Sequence, residues 1–123
     1  MGYYAEPTLT ASLSAVPFFV SGTKVTTSGT YVDVIKISAD FTDIDYLNVN
    51  FTSRHDGGGV AITCDIDGTT KFTDATPGDG VFNDHEITCT SLVGILDLTV
   101  QVKSNNGVND AWIENVSIFN RKA

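Results

Sequence analysis

The sequence predicts an all-β protein: an antiparallel β-sandwich of jelly-roll-like form with about eight strands. Three observations carry the prediction. Apolar and polar residues alternate with period 2 along most of the chain, the pattern of strands with one buried and one wet face. Gly, Asn, Asp or Pro interrupts the alternation roughly every 8–12 residues, the turn spacing of a sandwich or barrel. No stretch repeats apolar residues at i, i+3, i+4 and i+7, so almost no helix is expected.

Taken in order, residues 1–8 precede any strand signal and are expected to form an extended arm bearing Tyr3, Tyr4 and Pro7; a single domain over 9–123 follows. Leu9, Ala11, Leu13 and Ala15 alternate with Thr10, Ser12 and Ser14 to give a first strand before Pro17. Phe18-Phe19-Val20 is a short apolar run, and Ser21-Gly22 and Ser28-Gly29 bracket a brief strand at 24–27. Residues 30–41 form a long strand whose inward parity switches. Val32 and Val34 share one parity and Ile35, Ile37, Ala39 and Phe41 the other, so a bulge is expected near Val34-Ile35. Residues 46–52 turn Leu47, Val49 and Phe51 inward. The segment 53–59, SRHDGGG, reads as a mobile glycine-rich tip. Val60, Ile62, Cys64 and Ile66 mark the next strand, which Asp67-Gly68 turns into another at 69–73. The irregular segment 74–80, DATPGDG, leads to a strand at 81–93.

The end of the chain is the clearest part. Leu96, Leu98, Val100 and Val102 alternate with Asp97, Thr99, Gln101 and Lys103, and Asn106-Gly107 can supply the positive φ angles of a tight reversal. A final strand at 111–119 follows, with Val116 and Ile118 alternating with Ser117. A long hairpin is expected to close the chain, its last strand inside a sheet. Trp112 lies after both cysteines, so the Cys-Trp-Cys order of antibody domains is absent and a jelly roll is favoured over an immunoglobulin sandwich.

Composition excludes several functions. A chain of 123 residues is one domain that buries roughly two-thirds of its unfolded surface. The net charge of −8, from 7 basic and 15 acidic residues, argues against nucleic acid, whose phosphates require clustered Lys and Arg. Anionic membranes are disfavoured for the same reason. No apolar run approaches the ~20 residues of a membrane span, and the first residues lack a signal-peptide pattern. The expectation is a protein made and used without crossing a membrane, or a trimmed chain.

Few residues suggest chemistry. His55 and His85 are the two histidines, and neither sits in a nucleophile elbow or a zinc-binding H-E-x-x-H motif, so no enzyme activity is expected. Asp65, Asp67, Asp74 and Asp79 are calcium candidates, because hard cations take carboxylate and loop oxygens. Acidic loops at a sandwich edge are more commonly solvated turns, and the EF-hand spacing is not matched. Cys64 and Cys89 fall on apolar strand faces, where a disulfide worth ~3 kcal/mol and two buried thiols account for them equally. No cofactor is expected, calcium excepted.

The ending Ala111-Trp112-Ile113-Glu114-Asn115-Val116-Ser117-Ile118 resembles the last strand of several β-sandwich carbohydrate-binding modules. That resemblance implies a glycan-binding role for Trp112, although a lone tryptophan is more often core or interface. The chain as a whole resembles the small jelly-roll virion proteins of tailed bacteriophages, the decoration (cement) and fibre-tip proteins. What carries this is a small Met-initiated β domain, an N-terminal arm with Tyr and Pro, and strands rich in Thr, Gly and Asn. It implies a non-enzymatic viral structural protein, assembled in the host cytoplasm into the virion. There it would bind and stabilise the capsid shell, often as a trimer. On that reading Tyr3, Tyr4 and Pro7 of the arm and the loops around Arg54, Pro77 and Asn106 contact the partner. The alternative implied role is a carbohydrate- or receptor-binding module.

Overall fold

Alternation makes strands, and the computed structural model, which describes residues 17–20 and 22–121, turns each alternating stretch in that span into one. They are β1 (Pro17–Val20), β2 (Thr23–Thr26), β3 (Val32–Asp40), β4 (Tyr46–His55), β5 (Val60–Ile66), β6 (Thr69–Asp74), β7 (Val81–Thr88), β8 (Ile95–Ser104) and β9 (Ala111–Arg121). No helix occurs among the described residues. The expected strand at residues 9–15, and the arm with Tyr3, Tyr4 and Pro7, lie outside them.

Two antiparallel sheets form a jelly-roll-like sandwich. One runs β3-β8-β5-β6; the other runs β9-β4-β7, with β1 and β2 both paired to the free side of β9. The inward parity of each strand fills the space between the sheets. Leu47, Val49 and Phe51 of β4 and Ile113, Val116 and Ile118 of β9 meet Ile35 and Ile37 of β3, Ile62 and Ile66 of β5, and Leu98 and Val100 of β8, all fully buried.

Two bulges let strands keep one face in the core where their sequence changes parity. In β3, Asp33 pairs with Gln101 and Ile35 with Val100, so Val34 is the extra residue, and both Val34 and Ile35 are buried. In β9, Asn50 faces Ser117 but Thr52 faces Glu114, which leaves Asn115 and Val116 opposite Phe51 alone. Asn115 takes φ 53° and donates its N–H to the Gly22 carbonyl at 3.1 Å. The edge strand breaks at that point into β1 and β2; β2 answers the brief strand expected at 24–27, and β1 forms where the sequence shows only a short apolar run at 18–20. Asparagine tolerates this left-handed backbone and a β-branched residue does not. Asn115→Val is expected to cost about 1–2 kcal/mol in urea unfolding, with Asn115→Gly close to neutral.

The tight turn at Asp67-Gly68 forms as expected, with φ 53° and 75° joining Ile66 to its partner Thr69. Two expectations are corrected. The strand expected over 81–93 stops at Thr88, because the Cys89 N–H leaves the ladder for the Asp45 carbonyl at 2.8 Å and Leu92 N–H closes a turn on Cys89 at 2.9 Å. The closing hairpin does not exist either. β8 and β9 lie in different sheets, because both sides of β8 are already taken by β3 and β5. The segment 105–110 instead carries the chain across the end of the sandwich. Asn106 organises it: its Oδ1 accepts from the N–H groups of Val108 and Asn109 at 2.9 and 3.0 Å.

Candidate functional site

Each sheet also has an outer face, and that of the β9-β4-β7 sheet gathers aromatic and amide side chains. Along β4 the residues turned away from the core are Tyr46, Asn48, Asn50, Thr52 and Arg54, between buried Leu47, Val49, Phe51 and Ser53. Register sets Phe82, Asp84 and Glu86 of β7 opposite Thr52, Asn50 and Asn48. On the β9 side Trp112, Glu114, Ser117 and Phe119 stand opposite Arg54, Thr52, Asn50 and Asn48. Outward residues recur about 7 Å apart along a strand and about 5 Å apart between strands, so these side chains form one continuous surface.

A carboxylate held by two amides lies at its centre. Asn48 Nδ2 donates to Asp84 Oδ1 at 3.2 Å, and Asn50 Nδ2 donates to the same oxygen. Those bonds leave both amide oxygens and Asp84 Oδ2 as acceptors without a partner among the described residues. One row along β7, Phe82 is 66% exposed, an unusual position for a large apolar ring. Trp112 is half-buried, and the Arg54 guanidinium lies 5.5 Å from its ring centre in a cation–π contact. Trp112 thus reaches the outer face only in part, and its ring already has a cationic neighbour.

The histidines do not meet. His85 faces inward opposite Val49, and His55 lies six positions further along β4. His85 stacks on Phe72 at 4.1 Å and on Phe51 at 5.6 Å, with its Nε2 3.3 Å from Asp74 Oδ2. His55 Nδ1 accepts the Gly57 N–H at 3.2 Å. Among the described residues no hydroxyl or thiol hydrogen-bonds either ring.

The loops grouped at one end of the sandwich are tied down by asparagines. Asn105 Nδ2 donates to the Ala75 carbonyl at 2.9 Å, and Asn109 Nδ2 to the Asp56 carbonyl at 2.8 Å. The glycine-rich tip is thus anchored on its neighbour. An alanine Cβ at Gly58, where φ is 78°, would fall against the Asn106 amide. Arg54 is exposed on the sheet face and Asn106 at this end; in the loop around Pro77 the proline is buried while Thr76, Gly78 and Asp79 are exposed.

The four aspartates proposed for calcium are dispersed. Asp65 pairs across to Thr99 and Thr70, Asp67 sits in the following turn, Asp74 pairs with His85, and Asp79 accepts the His55 N–H at 3.0 Å. Among the described residues no three His, Cys, Asp or Glu side chains gather to hold a metal ion. Cys64 and Cys89 are free, buried thiols, with no disulfide between them. Burial pushes the Cys64 thiol up to about 12, helped by the negative field of Asp65, and pushes Cys89 up to about 11.

No protein-family model and no curated protein matches the chain. Solved structures do match its fold. One is the EclA C-terminal domain, described as a sugar-binding protein, with TM-score 0.54 and 11% identity over 78% of this chain and 76% of that one. Another is TmCBM61 in complex with β-1,4-galactotriose, with TM-score 0.50 and 16% identity over 83% and 87%. A third is the insecticidal delta-endotoxin Cry8Ea1 from Bacillus thuringiensis, with TM-score 0.53 and 12% identity. That match covers 81% of this chain but only 20% of the toxin. At these identities the likeness shows a jelly-roll-like β-sandwich.

Reasoning from sequence did not join Phe82, Asn48, Asn50 and Asp84 into one face. The outward parity of residues 46–52 and 81–88 was the available signal, but only the β4–β7 register brings the four together.

Proposed function

We propose that the chain is a non-catalytic carbohydrate-binding β-sandwich module whose ligand lies on the outer face of the β9-β4-β7 sheet. One observation carries the reading: an exposed aromatic ring beside amides and a carboxylate whose oxygens present acceptors without a partner among the described residues. Aromatic rings offer an apolar platform, and Asn and Asp side chains exchange hydrogen bonds with hydroxyl groups. Two proteins of like fold, the EclA domain and TmCBM61, are sugar-binding by description, which supports the same reading. The similarities above offer no such support for capsid decoration, and its arm residues Tyr3, Tyr4 and Pro7 lie outside the described span.

A broad glycan array tests the proposal. The wild-type protein is expected to give hits that the double substitution Asn50→Ala with Asp84→Ala abolishes, while the variant's unfolding transition stays intact, since both side chains are on the surface. A silent array with folded wild-type protein overturns the reading.

A further inference from the structure

We infer that the ligand is an uncharged glycan strand running along β7, with one sugar stacked on Phe82 and its hydroxyls on the Asn48–Asp84–Asn50 cluster. This rests on the carbohydrate-binding reading and specifies the class of sugar and the platform.

The donor and acceptor balance favours one class. Each amide gives one N–H to Asp84 Oδ1 and keeps the other, so the cluster presents three acceptor oxygens, two from the amides and Asp84 Oδ2, beside two N–H donors. The oxygens call for O–H donors, and the remaining N–H groups are met by the same hydroxyls acting as acceptors. Neutral sugars supply them at every ring carbon that bears a hydroxyl, whereas uronate and sulfate groups add further acceptors that these oxygens repel. Charge points the same way. Glu114 and Phe82 stand on either side of Thr52, with Asp84 one row away. Among the described residues neither Asp84 nor Glu114 has an ion-pair partner. Arg54, a cation on this face, is engaged over Trp112, and the whole chain carries −8. A polyanion meets repulsion both locally and at distance.

The platform follows from exposure. A ring that stacks on a sugar must be accessible before binding. Phe82 is 66% exposed on β7, the outermost strand of its sheet among the described residues. Trp112, at the other side of the face, is half-buried with a guanidinium near its ring.

Affinity electrophoresis of the full chain tests this, with gels containing neutral polysaccharides (galactan, xylan, mannan, β-glucan) and anionic ones (polygalacturonate, alginate, heparin). The expected result is retardation in at least one neutral gel and in no anionic gel at physiological salt. Phe82→Ala is expected to weaken that retardation about tenfold, and Trp112→Ala less than about threefold. Because Phe82 is exposed, its removal leaves the core unchanged, and a urea transition like that of wild type verifies this. Retardation by an anionic polysaccharide that Arg54→Ala removes would overturn the inference and leave the carbohydrate-binding reading standing. So would neutral binding that Trp112→Ala abolishes and Phe82→Ala spares. No retardation in any gel would overturn both.

Discussion

Phe51→Ala is expected to lower the unfolding free energy by about 3–5 kcal/mol, read from the shift of the urea midpoint. Phe51 is fully buried near the middle of β4, the strand that joins β9 to β7. Its ring packs near-parallel to Phe72 at 6.4 Å and to His85 at 5.6 Å, so it bridges to β6 of the opposite sheet. It also faces the β9 bulge, where two residues oppose one and the backbone cannot easily close on a void. Cavity cost rises where surroundings cannot collapse, which sets the upper part of the range. Phe51→Leu, which keeps most of the volume, is expected to lose less than half as much. A loss below about 1 kcal/mol for Phe51→Ala would show that the sheets repack freely and that the core drawn above is wrong.

What was legible in the sequence was whatever a strand shows by itself. Leu47, Val49 and Phe51 declare a buried face without reference to any other strand, and Asp67-Gly68 declares a two-residue turn because few other pairs accept two positive φ angles. The change of parity at Val34-Ile35 could be read as a bulge for the same reason. The equivalent change between Ile113 and Val116 is just as local, and it marks the second bulge.

Pairing between strands was not legible. Asn106-Gly107 between two alternating runs looks like a hairpin, but whether β8 pairs with β9 depends on what else competes for the edges of β8. In this fold β3 and β5 occupy them. The candidate site was hidden for the same reason. Asn48 and Asn50 lie 36 and 34 residues from Asp84, and each looks like an ordinary solvated strand residue until the β4–β7 register sets them side by side. Trp112 was conspicuous because of its type and a short local resemblance. Phe82 was not, because an apolar residue beside Val81 in an alternating strand reads as core, whereas the structure turns it outward.

The second large effect is alkaline. Cys64 contributes stability that is fully present below about pH 9, where its thiol holds its proton in both folded and unfolded chains. Above that the unfolded thiol ionises, while burial, with the fields of Asp65 and Cys89, keeps the folded one protonated to about 12. The unfolded state therefore gains from every unit of pH across that window, and stability falls as pH rises, by about 1.4 kcal/mol per unit and about 4 kcal/mol in all. Tyrosine and lysine side chains also titrate there, so the effect is read as a difference between wild type and Cys64→Ala, in which those groups are common. Cys64→Ala is expected to be the less stable protein at pH 8, through its small cavity, and to recover about 2 kcal/mol relative to wild type between pH 9 and 10.5 in urea titrations. The folded thiol should also resist alkylation, since a shift from 9.0 to about 12 lowers its thiolate fraction about a thousandfold. A stability difference that stays flat from pH 8 to 10.5 would place Cys64 in contact with water and contradict its burial between the sheets.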